Sequence, residues 1–390
     1  FFTAIFYFLR YLRIPSRKNL IIAGVFFGIA QSLKFSLVLL VPFFIGTALL
    51  WAFSQSTGKT RKEFFSSLWG SLGKTVLLFA IGYIAIIWPL YQFHTWNYPA
   101  VPQNLNQRTE ILSITSCEDL DITRITPSQL RDTACILKTF RFRPLANLII
   151  WSSDKPLLRP YAQYALGVLM VGTRTVGGNT TYFLGEVSRS SWRQYFPIVY
   201  LIKEPLAIHI LNLMALIIIL YGAVKLKPSF NRKKLKAMLL WVKKYFAQII
   251  SFSFIIFYFG VSIAGNLNIG IRHIIPTFPF IFLLTSDIIT RHLAKYSLRK
   301  HLAVYLAVGI LIGWYIISSL AQYPYYISYF NNLVGGSANG YKYVADSNLD
   351  WGQDLKRLAV FVDKNHIDKI RLNYFGGGSP EYYLGDKYIS

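Results

Sequence analysis

Lys203 and Glu204 stand side by side inside an apolar run, just ahead of Pro205. Ionisable groups in such a setting are costly and are usually kept for a function. Two roles are open to them: pairing with each other, or Lys203 facing an anionic headgroup. The plainer alternative is a lysine snorkelling along its own alkyl stem. A second set is Asn268-Ile269-Gly270-Ile271-Arg272-His273, which opens the apolar segment 272–290. Arginine presents a planar fork that matches phosphate oxygens, and a helix beginning here would add its own positive potential. Lys34 is a third cation at the end of an apolar run. Together, Lys34, Lys203 and Arg272 are expected to cradle a phosphate-bearing lipid, with independent snorkelling to headgroups as the alternative.

The third stretch is Asp346-Ser347-Asn348-Leu349-Asp350-Trp351-Gly352-Gln353-Asp354-Leu355. Its acid spacing resembles a calcium loop. However, Gly352 falls one place late, and Arg357 stands where the bidentate glutamate belongs. The expected local role is capping of the next helix by Asp350 or a neighbour. That helix is predicted over 353–365, with Leu355, Leu358, Ala359 and Val362 on one face. Lys369 to Phe375 alternates like a strand, and Tyr341 to Val344 reads as another. No phosphate-binding glycine loop, Cys-x-x-Cys pair, His-Glu-x-x-His or nucleophile elbow is present. Nothing forms a complete catalytic set, no cofactor is indicated, and no ligand set supports a divalent metal.

The elements that must position these residues are legible in the composition. The chain has 390 residues, 54% hydrophobic and only 15% charged, against about 25% charged in a soluble domain. The net charge of +24 comes from basic residues in short runs between apolar segments. That is the pattern of a membrane protein's inner loops, not of a nucleic-acid-binding face. Spans of about 20 apolar residues are expected at 1–9 (the tail of one), 20–33, 35–53, 72–92, 199–222, 246–264, 272–290 and 302–321.

Four basic loops orient them: Arg10 to Lys18, Lys59 to Lys62, Lys225 to Lys244, and Arg291 to Lys300. All are expected in the cytoplasm. Residues 20–53 lie between two such loops and must cross an even number of times. One helix of that length would run about 50 Å, so a hairpin turning near Lys34 and Ser36 is predicted. The resulting organisation is transmembrane segments over 1–92, an extracytoplasmic loop region over 93–198, transmembrane segments over 199–321, and an α/β extracytoplasmic domain over 322–390. The charges agree. Segment 93–198 holds 11 Lys/Arg and 7 Asp/Glu, whereas 223–245 holds 8 Lys/Arg and no acid. Cys117 and Cys135 share the first outer segment, where a disulfide can form; two unrelated buried thiols are the alternative.

The three chemistry-bearing stretches, taken together, resemble a family of bacterial glycosyltransferases. It includes protein O-mannosyltransferases and the lipid A aminoarabinose transferase, which are phospholipid-carrier-dependent enzymes of the GT-C fold. The resemblance rests on Gly24-x-x-x-Gly28 followed by Lys34; on Tyr182-Phe183-Leu184-Gly185; and on Tyr195-Phe196-Pro197 with Lys203-x-Pro205. It rests also on Asn268 to His273 and on Asp346 to Leu355, the last being the most specific. It spans most of the chain.

The resemblance implies an all-α polytopic membrane protein with loop helices and the start of a small C-terminal α/β domain. It implies transfer of a sugar from a polyprenyl-phosphate donor to a protein, lipid or glycan acceptor on the outer side. Lys34, Lys203, Glu204, Arg272 and His273 would serve the donor. Tyr182, Asp346, Asn348, Asp350, Trp351, Gln353 and Asp354 are motif residues without an assigned role. In such enzymes the general base is an Asp in the first outer loop. Phe1 opens inside an apolar stretch, so a fragment truncated at both ends is expected, with that Asp upstream. The competing expectation is a transporter or flippase for a lipid-linked or anionic solute, which would show ionisable residues at mid-membrane, broken helices and internal repeats.

Overall fold

The computed structural model describes residues 1–56, 60–96, 143–153, 155–224, 232–299 and 301–389. It is mostly helical, and it divides into two compact units. The first is Phe1–Gly177 with Lys227–Ile255, the second Gly178–Leu226 with Ile256–Ser390. Among the described residues, the helices Phe35–Ser54, Arg61–Thr95, Phe246–Ala264 and Leu302–Ala321 are each long and apolar enough to cross a membrane. A fifth candidate is a broken one: Tyr195–Lys203 and Leu206–Gly222, bent by 114°. Leu302–Ala321 shows why water is the wrong solvent. Leu306, Ile310, Ile317 and Leu320 are all exposed, and a helix apolar all round belongs in lipid or a core. By length and composition these helices suit a protein that crosses a membrane several times.

The first unit begins with α1 (Phe2–Arg13) and α2 (Arg17–Leu33). Ser16 caps α2, its Oγ accepting from the Asn19 amide at 3.2 Å. The chain then breaks at Lys34, which is extended, passes through a 3₁₀ turn at Phe35–Leu39, and continues as α3 (Leu40–Ser54). A helix break therefore stands at Lys34, where the turn of a hairpin was expected. Gln31 fixes the break by donating to the Leu37 carbonyl at 2.9 Å, and accepts from the Tyr164 hydroxyl at 2.7 Å.

Next, α4 (Arg61–Gly82) starts from a capping box of Thr60 and Glu63. It runs through a π turn at Tyr83–Ile87 into α5 (Trp88–Thr95). Pro89 lacks an amide to continue the ladder, and the π turn lies just ahead of it. Both α2 and α3 pack on α4. Gly24-x-x-x-Gly28 makes that approach possible: a Cβ on Gly28 would lie 2.6 Å from the Gly82 carbonyl oxygen. Phe8, Phe27 and Phe44 fill the centre, with Phe8 and Phe44 stacked at 4.1 Å. The loop helices α6 (Arg143–Ser153) and α7 (Arg159–Gly177) pair through Ala146, Ile149, Ala162, Leu166 and Leu169. The basic helix α10 (Arg232–Lys244) and the start of α11 (Phe246–Ala264) complete this unit. Cys117 and Cys135 lie outside the described residues.

The second unit opens with a hairpin of β1 (Thr181–Phe183) and β2 (Glu186–Ser188), Tyr182 facing Val187. Leu184 and Gly185 both have positive φ, which the two-residue turn between twisted strands demands. Then come α8 (Tyr195–Lys203) and α9 (Leu206–Val224). The end of α11 leads to α12 (Phe278–Leu293) and α13 (Leu302–Ala321), which pack with α9 around Ile208, Leu211, Ala215, Ile289 and Leu293.

The expected span 199–222 is therefore corrected: the helix stops at Lys203, because Pro205 cannot continue it, and restarts at Leu206. The tail carries α14 (Leu355–Lys364), α15 (Pro380–Leu384) and a parallel pair, β3 (Ile370–Arg371) with β4 (Tyr388–Ile389). Strand character at Tyr341 to Val344 shrinks to one bridge, Val344 with Phe183. Tyr341 and Lys342 belong instead to a 3₁₀ turn, Ser337–Lys342.

Candidate functional site

Three of the stretches singled out by residue type meet in the second unit, and Asn348 joins them. It is fully buried. Its Oδ1 accepts from the Ile271 amide at 3.0 Å, and its Nδ2 donates to the Tyr195 hydroxyl at 3.0 Å and to the Ala345 carbonyl at 3.1 Å. Its own carbonyl accepts from Lys203 Nζ at 2.6 Å. One residue thus ties the ends of α8, the 268–273 segment and the 346–355 segment together. A buried amide with every group engaged specifies one arrangement, since each lost partner leaves an unpaid desolvation.

Around it the backbone is set by further side chains. Asn268 Oδ1 accepts from the Trp192 amide at 2.8 Å, and Thr181 Oγ1 donates to the Asn268 carbonyl at 3.0 Å. Ser347 Oγ donates to the Ile269 carbonyl at 2.9 Å. Gly270 has φ +85°, and a Cβ there would lie 2.8 Å from Ser347 Oγ. Only glycine meets both demands. Asp346 adopts φ +56°, a left-handed conformation that Asp tolerates. Tyr182 donates to the Lys342 carbonyl at 3.0 Å, and the Leu184 amide to the Tyr343 carbonyl at 2.8 Å. The Tyr182 motif is therefore the clasp between hairpin and tail.

Lys203 is turned inward, only 7% exposed. Its ammonium donates to the carbonyls of Ile327 and Asn348, both at 2.6 Å, and lies 4.2 Å from the centre of the Phe330 ring. Two of its three donors are spent on backbone, and the face of a ring covers the charge. The expectation that Lys203 holds a donor phosphate is corrected: the ammonium is consumed within the fold. No hydrogen bond joins it to the Glu204 carboxylate among the described residues. The Glu204 carbonyl and the Leu201 carbonyl accept from Asn331 Nδ2 at 2.8 and 2.6 Å, which satisfies the end of α8 at the break.

Arg272 is held differently. Its Nε donates to the Ile269 carbonyl at 3.0 Å, and its guanidinium lies 4.0 Å from the centre of the Trp351 ring. Its two terminal nitrogens make no hydrogen bond among the described residues, and no carboxylate there forms an ion pair with it. Position and plane are fixed while the fork stays open, which is the geometry an anion needs. The expected helix N-terminus is absent. Ile271–His273 is a 3₁₀ turn and α12 begins only at Phe278, so no helix dipole supports Arg272. His273 stacks on Phe196, ring centres 5.4 Å apart.

Asp350 does not cap α14. Its Oδ1 accepts from the Gly352 amide at 2.9 Å, making a local turn. Gln353 accepts from the Trp351 amide at 2.6 Å and donates to Asp354 at 3.0 Å. Asp354 pairs with Arg357 at 3.0 Å. These bonds shape the loop that presents Trp351, and Tyr374 anchors it by donating to the Gly352 carbonyl at 2.8 Å. No group of three or more His, Cys, Asp or Glu among the described residues is placed to hold a metal ion. Lys34 belongs to the first unit. It is exposed at the α2–α3 break of that unit.

Asn331 and Phe330 escaped the sequence reading. An asparagine capping carbonyls and a phenylalanine under an ammonium carry no local pattern, so only the fold could find them. No family model, no curated protein and no solved structure matches the chain.

Proposed function

We propose that the protein is an integral membrane glycosyltransferase. It would take a sugar from a polyprenyl-phosphate-linked donor and pass it to an acceptor on the extracytoplasmic face. The observation that carries the reading is Arg272: oriented by Ile269 and Trp351, with an unspent fork. In such a transfer the lipid phosphate is the leaving group and gains negative charge as the glycosidic bond breaks. A preorganised arginine stabilises that charge more than it stabilises the ground state. The five motif stretches of the resemblance support the class.

Transport of a lipid-linked or anionic solute is a second reading, favoured by the break at Lys203 to Pro205 beside Glu204. Against it, α9 alone has 19 residues, about 28 Å long and close to a bilayer's apolar thickness. The break then sits at the end of a crossing rather than within it. A transfer assay with defined polyprenyl-phosphate sugars separates the two. Sugar moved onto an acceptor supports the enzyme, whereas donor translocation without transfer in vesicles would refute it. Sidedness is tested by labelling cysteines placed at Val360 and Lys244, which should react from opposite sides.

A further inference from the structure

In the first unit a second polar feature lies along α4. An open groove of about 790 Å³ runs between α3 and α4, lined by Trp51, Lys62, Glu63, Ser66, Ser67, Gly70, Ser71 and Lys74. Lys62, Ser66, Gly70 and Lys74 recur every fourth residue, so one face of α4 is polar for three turns. The ammonium groups of Lys62 and Lys74 and the hydroxyls of Ser66, Ser67 and Ser71 make no hydrogen bond among the described residues. Ser71 is only 6% exposed. Glu63, the acid on this face, accepts from the Thr60 amide through Oε2 at 2.8 Å, so its carboxylate is engaged at the cap of its own helix.

The depth of the groove identifies its occupant. The continuous helix Arg61–Thr95 has 35 residues, about 52 Å, whereas the apolar layer needs about 30 Å. The apolar run occupies 72–92, so residues 61–71 extend past it into the headgroup layer and Lys74 stands at its edge. Trp51 lines the groove and Trp69 is exposed on α4; tryptophans favour this level. The basic helix α10 packs on α3, and Phe246, two residues beyond Lys244, meets Trp51 edge-on at 4.8 Å. A groove with more cation than acid, open hydroxyl donors and headgroup depth fits a phosphate on a lipid.

We propose that this groove binds the phosphodiester headgroup of an anionic membrane phospholipid. Lys62 and Lys74 hold the phosphate, and the serine hydroxyls donate to its oxygens. The proposal concerns the first unit alone and stands whether or not the second transfers sugar.

The test uses the full chain in nanodiscs of phosphatidylcholine containing some phosphatidylglycerol. Lipid retained on the protein is quantified by mass spectrometry. Wild type should be enriched in phosphatidylglycerol over the bulk ratio. Lys62→Gln and Lys74→Gln should each lower the apparent affinity about fivefold, and Lys74→Arg should retain it. Gly70→Leu should abolish enrichment by filling the groove. A Cβ there meets nothing within 4 Å and leucine favours a helix over glycine, so the fold should survive, as its unfolding temperature in pure phosphatidylcholine would report. Equal enrichment in wild type, Lys62→Gln, Lys74→Gln and Gly70→Leu overturns the proposal. Stabilisation by inorganic phosphate in pure phosphatidylcholine, without preference for phosphatidylglycerol, overturns the lipid as its source.

Discussion

Lys203 lies inside an apolar run and Arg272 opens one, and the second unit treats these two cations in opposite ways. Lys203 is sealed between two carbonyls and the Phe330 ring. Arg272 is braced by one carbonyl and the Trp351 ring, with its terminal nitrogens open. The chemistry of the groups accounts for the choice. An ammonium is a compact point charge whose three donors can be spent on backbone oxygens. A guanidinium has five donors in a plane, so one edge can anchor while the other stays available. A charge in an apolar setting therefore marks importance without revealing its kind: one cation holds the fold, the other keeps its terminal nitrogens open among the described residues.

The sharpest test of that division is Lys203→Met. It removes the charge and leaves the Ile327 and Asn348 carbonyls unsatisfied, and should cost about 4 kcal/mol of stability. Thermal unfolding in detergent measures this; a loss below about 1 kcal/mol would mean the lysine is not structural. Asn348→Ala should follow at about 3 kcal/mol, because the buried Ile271 amide loses its acceptor. An unchanged melting temperature would dissolve the idea of a central tie.

Arg272→Ala should change stability by less than about 1 kcal/mol. It should also weaken polyprenyl-phosphate sugar binding or transfer by about a hundredfold, the worth of a bidentate charged contact. Wild-type kinetics in this variant would remove the support for the anion site. Arg272→Lys should recover only part, since the charge returns without the fork. The smallest effect expected is Trp351→Leu, about 1 kcal/mol of cation–π energy, seen as a severalfold fall in kcat with donor KM nearly kept. A rise in donor KM with kcat unchanged would show that Trp351 contacts the donor rather than bracing the arginine.

Much of the helical framework was legible in the sequence because apolar runs of the right length have few alternatives in lipid. The breaks were legible in part. Lys34 marked one, and Pro205 states its own. The helix start at 272 was misplaced because Pro276 and Pro279 favour helix only in its first turn, and two 3₁₀ turns use up the residues before Phe278. Asp350 looked like a cap because Asp commonly is one, yet its carboxylate found the nearer Gly352 amide.

By itself the sequence determined the membrane class, the placement of most helices, and the three short stretches that matter. Those follow from local properties: hydropathy, charge runs and residue chemistry. Only the tertiary structure decided that the stretches meet at Asn348, that Lys203 points in and that Arg272 keeps its fork. Whether a donor is spent depends on which carbonyls lie within 3 Å of it, and those of Ile327 and Asn348 come from positions more than a hundred residues away in the chain.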